Sequence, residues 1–176
     1  MKKVILLPFC FLFIFCSNQM KLNKAKDINI TLEEVPLKLN TGKVINYLIN
    51  NNTNNTYIID PYGFYGVSYV LENGKIIEPT SYYRGGYYNR FDDNDCKRDL
   101  VIIEPKTSIS IPLSLDRNNR SIYNYSKNNY YINVIKSFHN KYNATILGCD
   151  RYINNLEKKG YKVLEDSIVA KIPLVP

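Results

Sequence analysis

The chain lacks the side chains on which most catalytic and metal sites depend. Tryptophan is absent from its 176 residues, and histidine occurs once, as His139. Any Ser–His or Cys–His mechanism would have to use His139, and no Gly-x-Ser-x-Gly segment occurs in the sequence. The segment 137–141 has the pattern of a strand end before a turn, which predicts an exposed His139. With one imidazole and no CxxC pair, we expect no catalytic residues, no metal site and no cofactor.

Long hydrophobic runs are also missing, apart from one near the N-terminus. Lys2 and Lys3 precede an apolar run over residues 4–15, which is interrupted by Pro8. Twelve residues are too few to cross a bilayer, which takes about twenty. A basic start before a short apolar run is typical of an export signal. We predict a signal peptide over residues 1–16, a polar tether over 17–27 and one exported domain over 28–176.

The cysteine at the end of this run is a candidate site of lipidation. Cys16 precedes Ser17 and Asn18, and in this position it resembles the acylated cysteine of bacterial lipoproteins. The resemblance implies a lipid anchor, although Phe15 stands where that family has a small residue. One alternative is ordinary cleavage near residues 16–18, and another is an incidental cysteine in a discarded peptide. The predicted location is the cell envelope, periplasmic or lipid-anchored, with secretion as the alternative.

Runs of like charge are absent as well. The formal net charge is +7, and removal of the signal with its two lysines leaves +5. Lysine and arginine are spread along the chain, which indicates a solvated surface rather than a nucleic-acid footprint. We expect no nucleic-acid partner. The charge is compatible with a weak attraction to anionic envelope surfaces.

Only two of the four cysteines fall within the predicted domain. Cys10 and Cys16 belong to the export signal, which leaves Cys96 and Cys149. Two remaining cysteines in an oxidising compartment usually pair, so we predict a Cys96–Cys149 disulfide. The bridge would close a loop of roughly fifty residues and stabilise the fold by about 4 kcal/mol in the chain-entropy model. Two buried free thiols are the alternative.

Strand patterns cover most of the chain from residue 28 onward. Residues 44–49 and 57–59 are rich in β-branched and aromatic types and flank the polar segment 51–55, which predicts a pair of strands around a solvated loop. Asn73-Gly74 predicts a tight hairpin, because both central residues must take positive φ. One short helix is predicted near residues 150–159. The other predicted strands are 28–32, 67–71, 76–77, 100–103, 109–115, 130–138, 142–147 and 167–174. Without a βαβ rhythm, this pattern predicts an all-β antiparallel sandwich.

The order of these elements resembles the immunoglobulin-like domains of small bacterial secreted lipoproteins. The resemblance rests on the Asn/Thr-rich connection, the Asn-Gly-Lys hairpin, a Pro turn before a Ser/Ile strand and a late Tyr-containing strand. It loosely spans residues 28–176 and implies an immunoglobulin-like β-sandwich. The Cys–Trp–Cys arrangement of true immunoglobulin domains is absent. The resemblance implies architecture and little about activity.

A cluster of tyrosines is the binding site that the sequence favours. Tyr82, Tyr83, Tyr87 and Tyr88 surround Arg84, with Arg90 and Phe91 just beyond. Aromatic rings with hydroxyl and guanidinium donors are enriched where proteins bind partners or sugars. We expect a protein or an envelope glycan as partner. The alternative is a hairpin whose tyrosines cover the core.

A second cluster is acidic. Asp92, Asp93 and Asp95 lie within four positions, a spacing that could hold Ca²⁺ through carboxylate oxygens. The loop lacks the glycine and distant glutamate of an EF-hand, and Lys97 and Arg98 follow at once. We therefore predict a solvated acidic loop.

Together these features predict an exported cell-envelope β-sandwich that acts by binding or as a structural module, without catalysis. One alternative is an envelope immunity or inhibitor protein that neutralises a toxin or protease through residues 82–91. A further alternative is a secreted hydrolase with no recognisable motif.

Overall fold

The fold is dominated by short strands. A computed structural model describes residues 19–39, 44–82, 89–115 and 121–176, and 44% of the described residues lie in strands and 14% in helices. The strands are, in chain order, β1 (Met20–Lys21), β2 (Ile28–Leu32), β3 (Leu37–Lys38), β4 (Asn46–Asn51), β5 (Tyr57–Ile59), β6 (Tyr65–Glu72), β7 (Lys75–Ile77), β8 (Ser81–Tyr82), β9 (Val101–Ile103), β10 (Ser108–Pro112), β11 (Ser121–Ile122), β12 (Tyr131–His139), β13 (Lys162–Val163) and β14 (Asp166–Val175). The helices are α1 (Asp93–Asp99), α2 (Lys141–Thr145) and α3 (Asp150–Glu157). The predicted all-β class is confirmed.

Two larger sheets enclose the main core. One has four strands in the order β1-β2-β4-β10, and the other has five in the order β3-β14-β12-β6-β7. Their neighbours are antiparallel except that β3 runs parallel to β14. Ile30 and Ile49 of the four-stranded sheet join Ile135 and Ile172 of the five-stranded sheet in one buried cluster. This sandwich agrees with the predicted architecture, and its immunoglobulin-like character stays a prediction.

Alternating side chains explain why these segments form half-buried strands. In β2 every second residue is buried, and in β4 the buried residues are Tyr47, Ile49 and Asn51. Complete burial of an isoleucine side chain stabilises the fold by about 1.5–3 kcal/mol. The serines of β10 point to solvent, and Pro112 ends this edge strand as the sequence predicts.

The segment after residue 19 joins the two sheets. The backbone N–H of Leu22 donates to the Ile30 carbonyl at 2.8 Å, and the Leu22 carbonyl accepts from the Val169 N–H at 3.2 Å. The buried Asn23 amide accepts from the Ile30 N–H at 2.8 Å and donates to the Ile28 carbonyl at 2.6 Å. A side-chain amide thus replaces a strand partner along the edge of β2. The polar tether predicted for residues 17–27 is therefore wrong from Met20 onward.

The segment 44–59 behaves differently from the predicted strand pair. Its first strand, β4, lies between β2 and β10, whereas its second, β5, pairs with β9 and β13 in a separate three-stranded sheet. The polar connection is held by Asn51, whose buried side-chain amide donates to the Asn55 and Glu104 carbonyls. The connection is thus a crossover between sheets. In contrast, the hairpin between β6 and β7 is confirmed, with φ of 48° at Asn73 and 84° at Gly74.

A second, smaller core packs the helices against the three-stranded sheet. Ile58 faces this core while its neighbour Ile59 faces the main one, so β5 is a shared wall. The predicted disulfide is present: Cys96 of α1 and Cys149 before α3 are bonded and buried. Helix α3 confirms the predicted helix, and Gly160 after it has a φ of 91°.

Two segments predicted without helix are helical. Asp92, placed by the sequence in a solvated loop, caps α1 by accepting from the backbone N–H groups of Asn94 and Asp95 at 2.9 Å. Residues 142–147, predicted as a strand, lie largely in α2, where Asn140 is the cap and accepts from the Asn143 N–H. In both cases a capping side chain outweighs the local strand or loop pattern. No helix among the described residues is long and apolar enough to cross a membrane.

Candidate functional site

Most of the predicted tyrosine site falls outside the described residues. Tyr83, Arg84, Tyr87 and Tyr88 all lie there, so the proposed hairpin stays a prediction. Tyr82 lies on β8, where its side chain is exposed and its strand pairs with β11.

The residues after this cluster divide between core and solvent. Phe91 is exposed, but Arg90, which the sequence grouped with the binding surface, is buried. Arg90 therefore cannot supply a donor to a partner at the surface.

The only imidazole is an internal hydrogen-bonding group. His139 is 1% exposed at the end of β12, so the predicted exposed turn position is wrong. Its Nε2 accepts from the Asp60 backbone N–H at 3.1 Å, and its Nδ1 lies 2.6 Å from the Leu164 carbonyl. These partners fix the neutral tautomer with the proton on Nδ1. The lone pair that a general base would use is already engaged.

The Ser137 hydroxyl lies near His139 on β12, but the two side chains are not hydrogen-bonded to each other. Ser137 lies two residues earlier on the same strand face, and its buried Oγ forms no hydrogen bond with any described residue. The opposing strand approaches closely at Gly66, where an added Cβ would lie 2.6 Å from the Ser137 Cβ. Tight packing thus accounts for a small residue at position 137.

Three charged side chains form a buried network beside His139. Both terminal nitrogens of Arg90 donate to the Asp60 carboxylate, at 2.6 and 2.9 Å, and its Nε donates to Asp99 at 3.2 Å. The side chains of Arg90 and Asp60 have no exposed surface. Asp60 also accepts from the Tyr62 backbone N–H at 2.9 Å. This bidentate pair connects the segment after β5 to the segment before α1.

The ionisation of these groups follows from their surroundings. Burial acts to lower the pKa of Arg90, but hydrogen bonds and charge from Asp60 and Asp99 outweigh it and hold the pKa above its ordinary value. Burial is the main cause that lowers the pKa of His139, against smaller opposing effects of the Leu164 carbonyl and Asp60. The network is thus a charged Arg–Asp core beside a neutral imidazole, which is a structural arrangement.

An open cleft of about 500 Å³ lies over this network. Its walls come from the turn after β5, the junction of α1 and β9, and the end of β10; the lining residues are Pro61, Tyr62, Arg98, Asp99, Val101, Ile111, Pro112, Leu113 and Ser114. Arg98 pairs with Asp95 at 3.0 Å and with Asp99 at 2.9 Å. Because these charges compensate one another, the cleft offers a mainly apolar surface without a net charge. No group of three potential metal ligands occurs in the part of the chain that the structure describes.

The five-stranded sheet has an unusual solvent side, which we call the outer face. Along β6, β12 and β14 the residues alternate between the core and this face, and the register aligns them across the strands. The outer face consists of Tyr65, Val67, Tyr69, Leu71, Ile132, Val134, Lys136, Phe138, Ser167, Val169, Lys171, Pro173 and Val175.

Several of its large apolar side chains are exposed. The exposed fraction is 41% for Tyr65, 51% for Val67, 43% for Phe138 and 52% for Val169, whereas Val134 is only 3% exposed. Tyr65 and Phe138 lie edge to face with ring centroids 6.0 Å apart. Solvent-facing sheet positions are usually polar, as they are in β10. Exposed apolar patches on a protein surface are typical of interaction sites.

The only charges on the outer face are positive. Lys136 lies between Val67 and Val169 in the register, and Lys171 lies opposite Val134. No Asp or Glu occurs among the outer-face residues, and neither lysine forms an ion pair with a described residue. The face thus combines aromatic and aliphatic area with uncompensated positive charge.

The sequence shows the alternating apolar residues of this face, but apolar residues occur on both sides of the strands, so the alternation does not identify the core side. In β6, Val67, Tyr69 and Leu71 alternate as a core face would, yet the buried residues are Ser68 and Val70. Comparison of the chain with known protein families, curated proteins and solved structures finds no match.

Proposed function

We propose that this chain is an exported, lipid-anchored β-sandwich of the cell envelope that acts by binding through its outer face, without catalysis. The observation that carries the proposal is the exposed apolar and lysine-containing surface of β6, β12 and β14. Export and acylation at Cys16 are supported by the basic and apolar pattern of the first sixteen residues. The buried disulfide suits an oxidising compartment.

The polar side chains that could act in catalysis form hydrogen bonds inside the protein, which supports a binding role over a catalytic one. His139 hydrogen-bonds to backbone groups through both nitrogens, and Asp60 is held by Arg90. A substrate would therefore find neither group at the surface. The immunity or inhibitor alternative has the tyrosine segment as its only support.

Site-specific photocrosslinking in intact cells tests the proposal. A photoreactive amino acid replaces Val67 on the outer face in one variant and Ser110 in the other, which lies on the exposed serine face of β10. We expect adducts with envelope components from position 67 and few from position 110. Equal adduct yields from both positions, or none from position 67, would contradict a role for the outer face.

A second experiment measures enzymatic turnover. The purified chain and a His139→Gln variant are assayed against hydrolase substrates. An activity of the wild type that disappears in a folded His139→Gln variant would contradict the absence of catalysis.

A further inference from the structure

We infer that the outer face rests on an anionic lipid bilayer, so that the anchored domain lies against the membrane in one orientation. The inference depends on the proposed export and acylation of Cys16, and it names the partner of the same surface. It is carried by the position of the anchor, the chemistry of the face and the sign of its charge.

The anchor position places the domain within reach of the membrane. Met20, where the first described strand, β1, begins, is four positions after Cys16, and a fully extended chain covers at most about 3.3–3.6 Å per residue. Cys16 therefore lies within about 14 Å of Met20. From there the chain contacts β14, because Leu22 hydrogen-bonds to Val169 and Asn23 forms a bridge with Ile168. Met20 and Lys21 pair with β2 of the four-stranded sheet, and the next two residues contact β14, so an anchor at Cys16 attaches at the edge where the two sheets meet, within reach of the outer face.

The side chains of the face match a bilayer surface. Tyr65 and Phe138 offer rings that insert at the level of the lipid headgroups, and Val67 and Val169 add apolar area beside them. The two lysines of the face can lay their aliphatic stems along this area while their ammonium groups reach lipid phosphates. Each lysine close to an anionic membrane strengthens binding by about fivefold, which corresponds to about 1 kcal/mol.

The positive charge of the outer face favours an anionic bilayer over a second copy of the chain as its partner. In a face-to-face dimer, the lysines of one copy would meet a face that has lysines and no carboxylate. Such like-charge contact disfavours the dimer. An acidic protein would satisfy the charge, but it gives no reason for the anchor to lie beside β14.

The depth of a reporter tryptophan tests the orientation. Because the chain has no tryptophan, V169W on the outer face and S110W on the serine face of β10 each provide a single fluorophore. The acylated protein is reconstituted into vesicles of phosphatidylglycerol or of phosphatidylcholine, and quenching by brominated acyl chains is measured. We expect strong quenching of V169W in the anionic vesicles, little in the zwitterionic ones, and little of S110W in either.

Neutralisation of the lysines supplies the matched control. K136Q and K171Q in the V169W background should lower the equilibrium constant for face contact about thirtyfold, since two lysines are removed. The anchor remains, so loss of quenching reports orientation rather than detachment. Equal quenching of V169W and S110W, or no quenching of V169W, would overturn the inference. Protection of position 169 in cells without quenching in pure lipid would assign the face to a protein partner instead.

Acylation is measured separately from orientation. The mass of the N-terminal peptide from the mature protein shows whether Cys16 is lipidated. A free or removed Cys16 contradicts the proposed anchor. In that case, flotation of the mature chain with anionic vesicles still decides whether the face binds lipid, and its absence would overturn the inference on its own.

Discussion

The buried Arg90–Asp60 pair allows the sharpest prediction about stability. Replacing Arg90 by methionine keeps much of the side-chain volume but removes both hydrogen bonds to Asp60 and the one to Asp99. The Asp60 carboxylate then stays in a site with no exposed surface, where the Tyr62 N–H is the donor that remains to it among the described residues. Removing one partner of such a buried pair costs about 3–5 kcal/mol.

The assay is equilibrium unfolding in urea with the disulfide intact. For a small domain the free energy of unfolding falls by about 1–3 kcal/mol per molar urea. A loss of 3–5 kcal/mol therefore lowers the midpoint by roughly 1.5–2.5 M at an intermediate slope. The control is Arg151→Met, which breaks the exposed Arg151–Asp93 pair at 2.9 Å and should cost less than about 1 kcal/mol.

A double variant separates the buried charge from the lost packing. Asp60→Asn with Arg90→Met removes both charges, and the amide oxygen introduced at position 60 can still accept from the Tyr62 N–H. We expect the double variant to be more stable than the sum of the two single losses predicts. If Arg90→Met costs no more than Arg151→Met, the structural role assigned to this network is wrong.

Three further predictions concern the disulfide, the imidazole and the closest strand approach. Replacing both Cys96 and Cys149 by serine opens a loop with a sequence separation of 53 and should lower the unfolding free energy by about 4 kcal/mol; an unchanged denaturation midpoint would contradict the bridge. Burial lowers the pKa of His139 in the folded state below 6.5. The contribution of the neutral imidazole to the free energy of unfolding is therefore complete above pH 6.5, and it is lost as the pH falls from there towards the folded-state pKa. Between pH 7 and 5 the wild type should therefore lose stability more steeply than His139→Gln, by at most about 1.4 kcal/mol per pH unit, and equal slopes would refute this. Gly66→Ala places a Cβ 2.1 Å from a backbone oxygen of β12 and should lower the free energy of unfolding by more than about 2 kcal/mol or prevent folding. Its control is Gly74→Asn, which lies in open space at a φ of 84° and should change the denaturation midpoint little.

The sequence predicts the parts of the fold that local chemistry controls. Asn73-Gly74 requires positive φ at two successive residues, and the hairpin follows at that point. The helical spacing before Gly160 predicts α3, and the two cysteines outside the signal predict the bridge. The hairpin and the helix depend mainly on neighbours in sequence, whereas the bridge is predicted by elimination.

Other features depend on contacts between distant segments. His139 is buried because the Asp60 and Leu164 backbones, far away in sequence, supply its two hydrogen-bond partners. Asn23 is buried because β2 leaves an edge that its amide can satisfy. A polar residue is expected to be exposed until its partner is known, which explains why both positions were predicted wrongly.

The outer face shows a different limit of prediction from sequence. In β12, Ile132, Val134 and Phe138 alternate as well as Tyr131 and Ile135 do, so the periodicity marks two apolar sides. Only the tertiary structure, which buries Tyr131, Ile135, Ser137 and His139 and exposes Lys136 and Phe138, shows which side is the core. The same two-sided pattern motivates the proposal of a binding surface, because exposed apolar patches are typical of interaction sites.

The central claim is that the outer face is covered in the envelope. The most direct measurement is the rate of amine acetylation at Lys136 and Lys171 in intact envelopes, compared with the rate in purified protein in detergent-free buffer. Lys97 and Lys159, which are exposed on and beside the helices, serve as internal references. We predict that the two outer-face lysines react several-fold more slowly in envelopes while the references change little. Equal relative rates in both preparations would contradict the account.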